Sequence, residues 1–223
     1  MIRASFTTLA IVLGGVWTAA AQPYLGSGAP AAGSIEIGGS AVWTGSYDAG
    51  DRSAFLSPNG ASSPPLTLFV TSSEVRSSAG AEARLGVYLS SRLAVEGRFQ
   101  FARPLLVTRI TDDFENADPT TASERVSSYL VGGTLLFHFG DGAFVPFVSG
   151  GGSYLRQLHE DNAVVLTGSE IHAGGGLKYW FGSARHRFGL RLDAEASSRS
   201  KSVGFEDTRR VLPVLAAGLT YRF

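Results

Sequence analysis

Residues 210–223 read Arg210-Val211-Leu212-Pro213-Val214-Leu215-Ala216-Ala217-Gly218-Leu219-Thr220-Tyr221-Arg222-Phe223. In an extended chain, alternate side chains share a face. Val211, Pro213, Leu215, Ala217, Leu219, Tyr221 and Phe223 then form one apolar row. The other row sets Arg210, Gly218, Thr220 and Arg222 among smaller apolar residues. In water, a strand stopping on Phe223 would leave its ring exposed. With one face in lipid, that ring lies at the membrane interface, where aromatic side chains gather. The stretch therefore predicts the closing strand of a membrane-spanning sheet.

The opposite end of the chain agrees. Met1-Ile2-Arg3 carries one positive charge, an apolar stretch around Leu9–Trp17 follows, and Ala19-Ala20-Ala21 supplies small residues. This three-part layout reads as a secretory signal peptide over residues 1–21, cleaved before Gln22. An uncleaved N-terminal anchor is the alternative, although the apolar run is short for a helical span. No cysteine follows, so a lipid-modified start is excluded. Residues 22–33 form a short periplasmic segment, and residues 34–223 one barrel domain.

Composition narrows the class. The 19 basic and 19 acidic residues cancel, and loss of Arg3 tips the balance to −1. That balance argues against nucleic acid as a partner. Without cysteine there is no disulfide or Cys-metal framework. Beyond residue 21 no apolar run is long enough for a transmembrane helix, so insertion must use strands.

From residue 34 onward, period-two patterns recur at lengths suited to tilted membrane strands of roughly 9–11 residues. The predicted strands cover about 34–47, 79–89, 92–106, 124–139, 144–158, 168–181, 187–203 and 210–223. In the first, Ile35, Ile37, Ala41, Trp43 and Tyr47 share a face. The third is the cleanest: Leu93, Val95, Phe99 and Phe101 oppose Glu96, Arg98 and Gln100. The fifth is ambiguous, with Val148 and Tyr154 placed outward and Ser149, Ser153 and Gln157 inward. Connections alternate in length. Ser90-Ser91, Gly140–Ala143 and Gly182–His186 are tight turns. Residues 48–78, 107–123, 160–167 and 204–209 are read as longer links. Short turns on one side and long loops on the other match outer-membrane barrels, with both termini in the periplasm. The expected fold is all-β: an eight-stranded antiparallel up-and-down transmembrane β-barrel.

Aromatics fall into two rims under this layout. Trp43, Tyr47, Phe101, Tyr129 and Tyr154 lie near the outer rim. Tyr88, Phe137, Phe139, Phe144, Phe181, Phe188, Tyr221 and Phe223 lie near the inner one. A soluble lipocalin-type barrel is the alternative, and it would turn its apolar row inward. Slipping the third and seventh strands by one residue would expose Arg98 and Arg191 to lipid, at roughly 2–4 kcal/mol each near the midplane. The charged row must therefore face the lumen. It comprises Glu36, Glu82, Arg84, Glu96, Arg98, Gln100, His138, Glu170, His172, Lys178, Arg191, Asp193, Glu195 and Arg222. An eight-stranded interior is just wide enough for side chains to fill it. Paired charges there would form a structural plug, and a gated or narrow ion path is the sharper alternative.

With these features in place, residues 34–223 resemble the small outer-membrane β-barrel family of the OmpA/OmpX type. The carriers are the signal peptide, the alternating strands, the glycine-rich Pro146–Tyr154 segment and the terminal Leu219-Thr220-Tyr221-Arg222-Phe223. The resemblance implies residence in the cell outer membrane, contact with its lipid and escort by periplasmic chaperones. It also implies insertion by the outer-membrane assembly machinery, with Tyr221 and Phe223 in the assembly signal. Because no peptidoglycan-binding domain follows Phe223, a tethering role is not carried over.

Chemistry-bearing constellations are weak. One class of small barrels removes acyl chains from lipid A with Ser, His and an acidic residue. Here neither His138 nor His172 offers a nearby Ser on the same strand face in an evident triad, His159-Glu160 lies at an outer loop edge, and His186 sits in a turn. The acidic run Asp112–Asp118 lacks the spacing of a calcium loop and reads as a solvated outer loop. Gly150–Gly152 and Gly174–Gly176 lack the Lys and helix of a phosphate loop and suit close strand approach. No catalytic residue, metal ligand or cofactor is expected. The expected role is structural or surface interaction, with an external ligand met by the loops. A small transport barrel for ions or apolar solutes is the alternative, and a lipid A-modifying enzyme the third.

Overall fold

The computed structural model describes residues 30–56, 65–115, 117–159, 164–181, 187–200 and 209–223. The expected signal peptide and most of the segment after it lie outside these residues. The chain forms β1 (Ile35–Thr44), β2 (Tyr47–Leu56), β3 (Leu66–Val75), β4 (Ser78–Tyr88), β5 (Leu93–Ala102) and β6 (Leu105–Thr111). It continues with β7 (Thr120–His138), β8 (Phe144–His159), β9 (Val165–Phe181), β10 (Phe188–Ser200) and β11 (Arg210–Arg222).

Eight of these strands close a barrel. Antiparallel ladders run β1-β4-β5-β7-β8-β9-β10-β11 and return from β11 to β1. The closing ladder pairs Glu36 with Arg222 at one end and Thr44 with Val214 at the other. The Phe223 amide adds a bond to the Ile35 carbonyl at 2.9 Å. Closure removes the sheet edges that would otherwise bond to other chains.

Alternation decides which face meets what. On β11, Val211 is 70% and Leu219 61% exposed, whereas Val214, Ala216 and Thr220 on the alternate row are buried. On β10, Leu190 and Leu192 are exposed while Arg191, Asp193 and Glu195 are buried. Apolar side chains thus cover the outer wall and charges fill the interior, the reverse of a soluble lipocalin-type barrel. On β8, Val148 and Tyr154 point out and Ser149, Ser153 and Gln157 point in.

One end of the outer wall carries a chain of ring contacts. Phe137–Phe139, Phe144–Tyr179, Tyr179–Phe181, Phe188–Tyr221 and Tyr221–Phe223 have centroids 4.6–5.2 Å apart. It lies beside the tight turns, one of which is held by Arg92 and Leu93 amides donating to the Ser90 hydroxyl at 3.3 and 3.1 Å. Tyr88 does not belong to this belt: it is buried in the lumen, in step with Glu82 and Arg84 on the inward row of β4.

Two expected loops contain strands. Residues 48–78 hold most of β2, all of β3 and the start of β4, and residues 107–123 hold the end of β6 and the start of β7. β2, β3, β6 and the first part of β7 form a four-stranded sheet that carries one side of the wall past the barrel. The junctions are short: 45–46, 76–77 and 103–104. Pro104 has no N–H to donate, but its carbonyl accepts from Val126 at 3.0 Å, so the ladder passes through. Gly45 bonds to the Pro213 carbonyl at 2.9 Å before β2 turns away from β11. This break shifts the alternation by one residue. Tyr47, expected on the outer rim with Trp43, is therefore turned inward and buried.

Candidate functional site

The lumen is the most heavily functionalised part of the molecule. It is stacked in layers along the barrel. Near the tight turns, Tyr88, Ala94, Leu136 and Phe147 form an apolar cluster. His138 stacks on Tyr88 with ring centroids 5.2 Å apart. Lys178 reaches into this layer and donates from Nζ to Glu36 Oε1 at 2.6 Å, while the Tyr88 hydroxyl donates to Glu36 Oε2 at 2.7 Å. The Arg222 guanidinium lies 4.5 Å from the Trp180 ring centroid, a cation–π geometry.

The middle layer is a continuous ionic chain. Arg191 Nη1 donates to Glu96 at 2.6 Å and its Nη2 to Asp193 at 2.9 Å. Arg84 Nη1 meets the other Asp193 oxygen at 2.8 Å, and its Nε pairs with Glu82. Arg98 then takes Glu82 at 3.0 Å and, across the lumen, Glu195 at 2.9 Å. Above it, Arg199 donates to Glu170 at 2.7 Å. All ten lumen residues singled out in the sequence (Glu82, Arg84, Glu96, Arg98, Glu170, Lys178, Arg191, Asp193, Glu195 and Arg222) are buried on the interior face. Glu82, Arg84, Glu96, Arg98, Arg191, Asp193 and Glu195 are joined in one chain of ion pairs, while Lys178 pairs with Glu36, Glu170 with Arg199, and Arg222 lies over the Trp180 ring at the inner end. Tyr221 and Phe223 are edge-to-face on the outer wall.

Small residues make room for this filling. A Cβ at Gly151 would lie 2.8 Å from His172 Nε2, and one at Gly176 would lie 2.5 Å from the Phe147 ring. A Cβ at Gly174 would meet the Glu195 side chain at 2.9 Å. At each of these glycines the adjacent strand's backbone carbonyl lies closer still, so they make room for both a neighbouring side chain and a close strand. Two cavities among the described residues lie toward the lumen ends. One touches Thr44, Gln100 and Arg199, the other Tyr88, His138 and Arg222, and each measures about 10 Å³. That is the space of about one water molecule. At the outer end, Val42, Tyr47, Ala49, Val75, Val126, Leu212, Val214 and Ala216 pack into a second apolar cluster.

Chemically, the lumen holds charge in place. Bringing an ion out of water costs several kcal/mol, offset only by close, well-formed pairs. The cations Arg84, Arg98, Lys178 and Arg191 each meet a carboxylate, so a passing ion would have to displace a bonded partner.

Several contributors were not singled out in the sequence. Arg199 continues the inward alternation of β10 through Arg191, Asp193 and Glu195. Trp180 follows Lys178 on β9 in the same way. Thr134 is less obvious: its hydroxyl is 2.9 Å from His172 Nε2, with Glu170 3.7 Å from His172 Nδ1. The hydroxyl–imidazole–carboxylate order resembles an acyl-transfer relay. It is shut inside the lumen, with His172 and Glu170 both buried. Separately, His159 Nδ1 lies 2.9 Å from Glu124 at the outer end of β8. In the acidic loop, Asp113 accepts from the Glu115 amide at 2.9 Å. Among the described residues, no group of three or more His, Asp or Glu side chains is arranged to hold a metal.

Beyond the outer apolar cluster stands the projecting sheet. β2 pairs only with β3. β7 pairs with β8 only from Val126 onward, so its residues 120–125 pair with β6 alone. Two sheet edges are thus open among the described residues. Phe55, Leu56, Leu66 and Phe114 are exposed toward the far end.

No family model and no curated protein sequence matches the chain. Solved structures do. The outer membrane protein OprG of Pseudomonas aeruginosa matches with a TM-score of 0.56 at 13% identity, over 89% of this chain and 99% of that one. Ail, the attachment invasion locus protein of Yersinia pestis, gives 0.47 at 13% identity over 86% and 99%. Neisserial surface protein A gives 0.46 at 12% over 86% and 99%. The OprG match is strong enough to speak to fold, and at such low identity it is silent on role. By wall, lumen, closure and likeness, the chain has the eight-stranded antiparallel fold of small outer-membrane β-barrels.

Proposed function

We propose that this protein is a plugged outer-membrane barrel that acts in recognition at the cell surface, using the projecting β2–β3–β6–β7 sheet. The observation that carries this reading is the contrast between a lumen filled by paired charges and a sheet built out beyond it. A barrel serving passage has no need of carboxylates locked on arginines at 2.6–3.0 Å. A barrel serving as a pedestal gains from them a stiff base. The sheet offers two modes of contact. Its open edges display backbone donors and acceptors suited to an added strand, and its exposed Phe55, Leu56, Leu66 and Phe114 offer apolar area. On this reading, part of what the sequence offers as longer links serves as a recognition element built of paired strands. An enzymatic role is not part of this reading, because Thr134, His172 and Glu170 are all buried inside the lumen.

Planar bilayers separate recognition from transport. Two proteins are compared: the intact chain, and a trimmed form with tight turns joining Gly50 to Ser73 and Thr108 to Ala122, pairs that already face each other. Trimming removes the sheet's tip and keeps the barrel. Both forms are expected to pass little steady current. Large, stable single-channel steps from the intact protein would overturn the plug. Steps that appear only on trimming would make the sheet a gate and the protein a transport barrel.

A further inference from the structure

The outer wall is not uniformly covered. At the seam of β10, β11 and β1 there is an apolar concavity of about 240 Å³, lined by Ile37, Gly39, Phe188, Leu219 and Tyr221. Among its lining residues is Gly39, on the outward row between Ile37 and Ala41. Most tight glycines in this barrel are required by their neighbours. Gly39 is not: a Cβ there would meet nothing closer than the Glu82 carbonyl at 4.0 Å. The missing side chain leaves a slot, and the strands do not demand it.

The slot has a polar end. Phe188 pairs with Tyr221 at the turn side of the wall. Beside them, the exposed Arg187 donates from Nη1 to the Tyr221 hydroxyl at 3.4 Å. A cation and a phenol hydroxyl therefore stand at the aqueous edge of an apolar groove that runs toward the membrane interior.

We propose that this seam binds one phospholipid of the periplasmic leaflet. One acyl chain lies in the slot over Gly39, between Leu219, Ile37 and the Phe188 and Tyr221 rings. The phosphate rests against Arg187 and the Tyr221 hydroxyl. Charge complementarity selects the headgroup, because a guanidinium recognises phosphate oxygens through charge-assisted hydrogen bonds. Apolar area holds the chain. The site depends on the barrel's seating in the membrane and is independent of the surface role proposed above.

Native mass spectrometry of the full-length protein in mild detergent tests this, with palmitoyl-oleoyl phosphatidylglycerol as the probe. The wild type retains one lipid. Arg187→Gln lowers the bound fraction about tenfold, the scale of one charge-assisted hydrogen bond. Gly39→Leu fills the slot and lowers it at least as far. Gly97→Leu, on an outward glycine of β5 with equal room, leaves it unchanged. The matching diacylglycerol, which lacks phosphate, binds the wild type as poorly as the phospholipid binds Arg187→Gln. Heat-modifiable gel migration checks that each variant is folded. Arg187→Gln keeps the test valid should Gly39→Leu fail to fold, because the Arg187 side chain is exposed and the substitution keeps the backbone carbonyl that accepts from the Arg222 amide. A wild type that carries no lipid overturns the proposal. So does retention unmoved by Arg187→Gln, or a second copy of the chain held in place of lipid.

Discussion

Replacing Arg191 with Met lowers the unfolding free energy of the barrel by about 3–5 kcal/mol, the usual cost of removing one partner of a buried ionic cluster. Arg191 is buried and meets Glu96 at 2.6 Å and Asp193 at 2.9 Å, with its guanidinium 4.8 Å from the Phe147 ring centroid. Met would fill much of the space and leave two carboxylates short of a cation. Arg84 still reaches Asp193 at 2.8 Å and Glu96 at 3.6 Å, which keeps the loss from growing larger. The measurement is reversible urea unfolding in lipid vesicles. Adding Glu96→Gln to Arg191→Met should recover part of the loss, because one stranded charge is then gone. An exposed arginine such as Arg109 on β6 supplies the contrast: its change to Met should stay within about 0.5 kcal/mol. A shift for Arg191→Met as small as that for Arg109→Met would mean the lumen charges are solvated and the plug is loose.

Deleting Phe223 should sharply reduce the amount of folded protein reaching the membrane in cells, with little effect on the stability of protein folded in vitro. In the finished barrel, Phe223 contributes its amide bond to Ile35 and its ring contact with Tyr221. Losing one such bond costs about 1 kcal/mol, and an exposed ring in lipid adds little. The larger effect is kinetic. The last strand must find β1 for closure, and until it does, both edges stay open. Heat-modifiable migration, on cell membranes and on refolded protein, reads the two effects separately. Equal folded amounts in cells with and without Phe223 would show that the terminal ring is not part of an assembly signal.

The wall was legible in the sequence because its physics is local. On β10, Leu190, Leu192 and Ala194 alternate with Arg191, Asp193 and Glu195 in a pattern that only one orientation in lipid satisfies. The lumen side of each charge was readable for the same reason. Which charge meets which was not. Arg98 finds Glu195 across the barrel, and that choice depends on strand stagger, which no single strand encodes. Thr134 meets His172 only because Gly151 stands between them without a side chain. The phase of Tyr47 was illegible because the 45–46 junction inserts a shift into an otherwise regular strand. The projecting sheet was hidden by composition. β2 and β3 contain Asp48, Gly50, Asp51 and several serines, residues typical of turns. Their pairing is set by the barrel hairpins they prolong, with bulges between Asp48 and Gly50 and between Ala54 and Phe55.

The central claim is that the apolar row faces lipid and the other row faces a filled, closed lumen. Because the chain has no cysteine, single cysteines can be placed along β11 and labelled with nitroxides in lipid vesicles. Oxygen accessibility by electron paramagnetic resonance should be high at Leu215, Ala217 and Leu219 and low at Val214, Ala216 and Thr220, where side chains are buried. Equal accessibility in both rows, or the opposite phase, would contradict the barrel described.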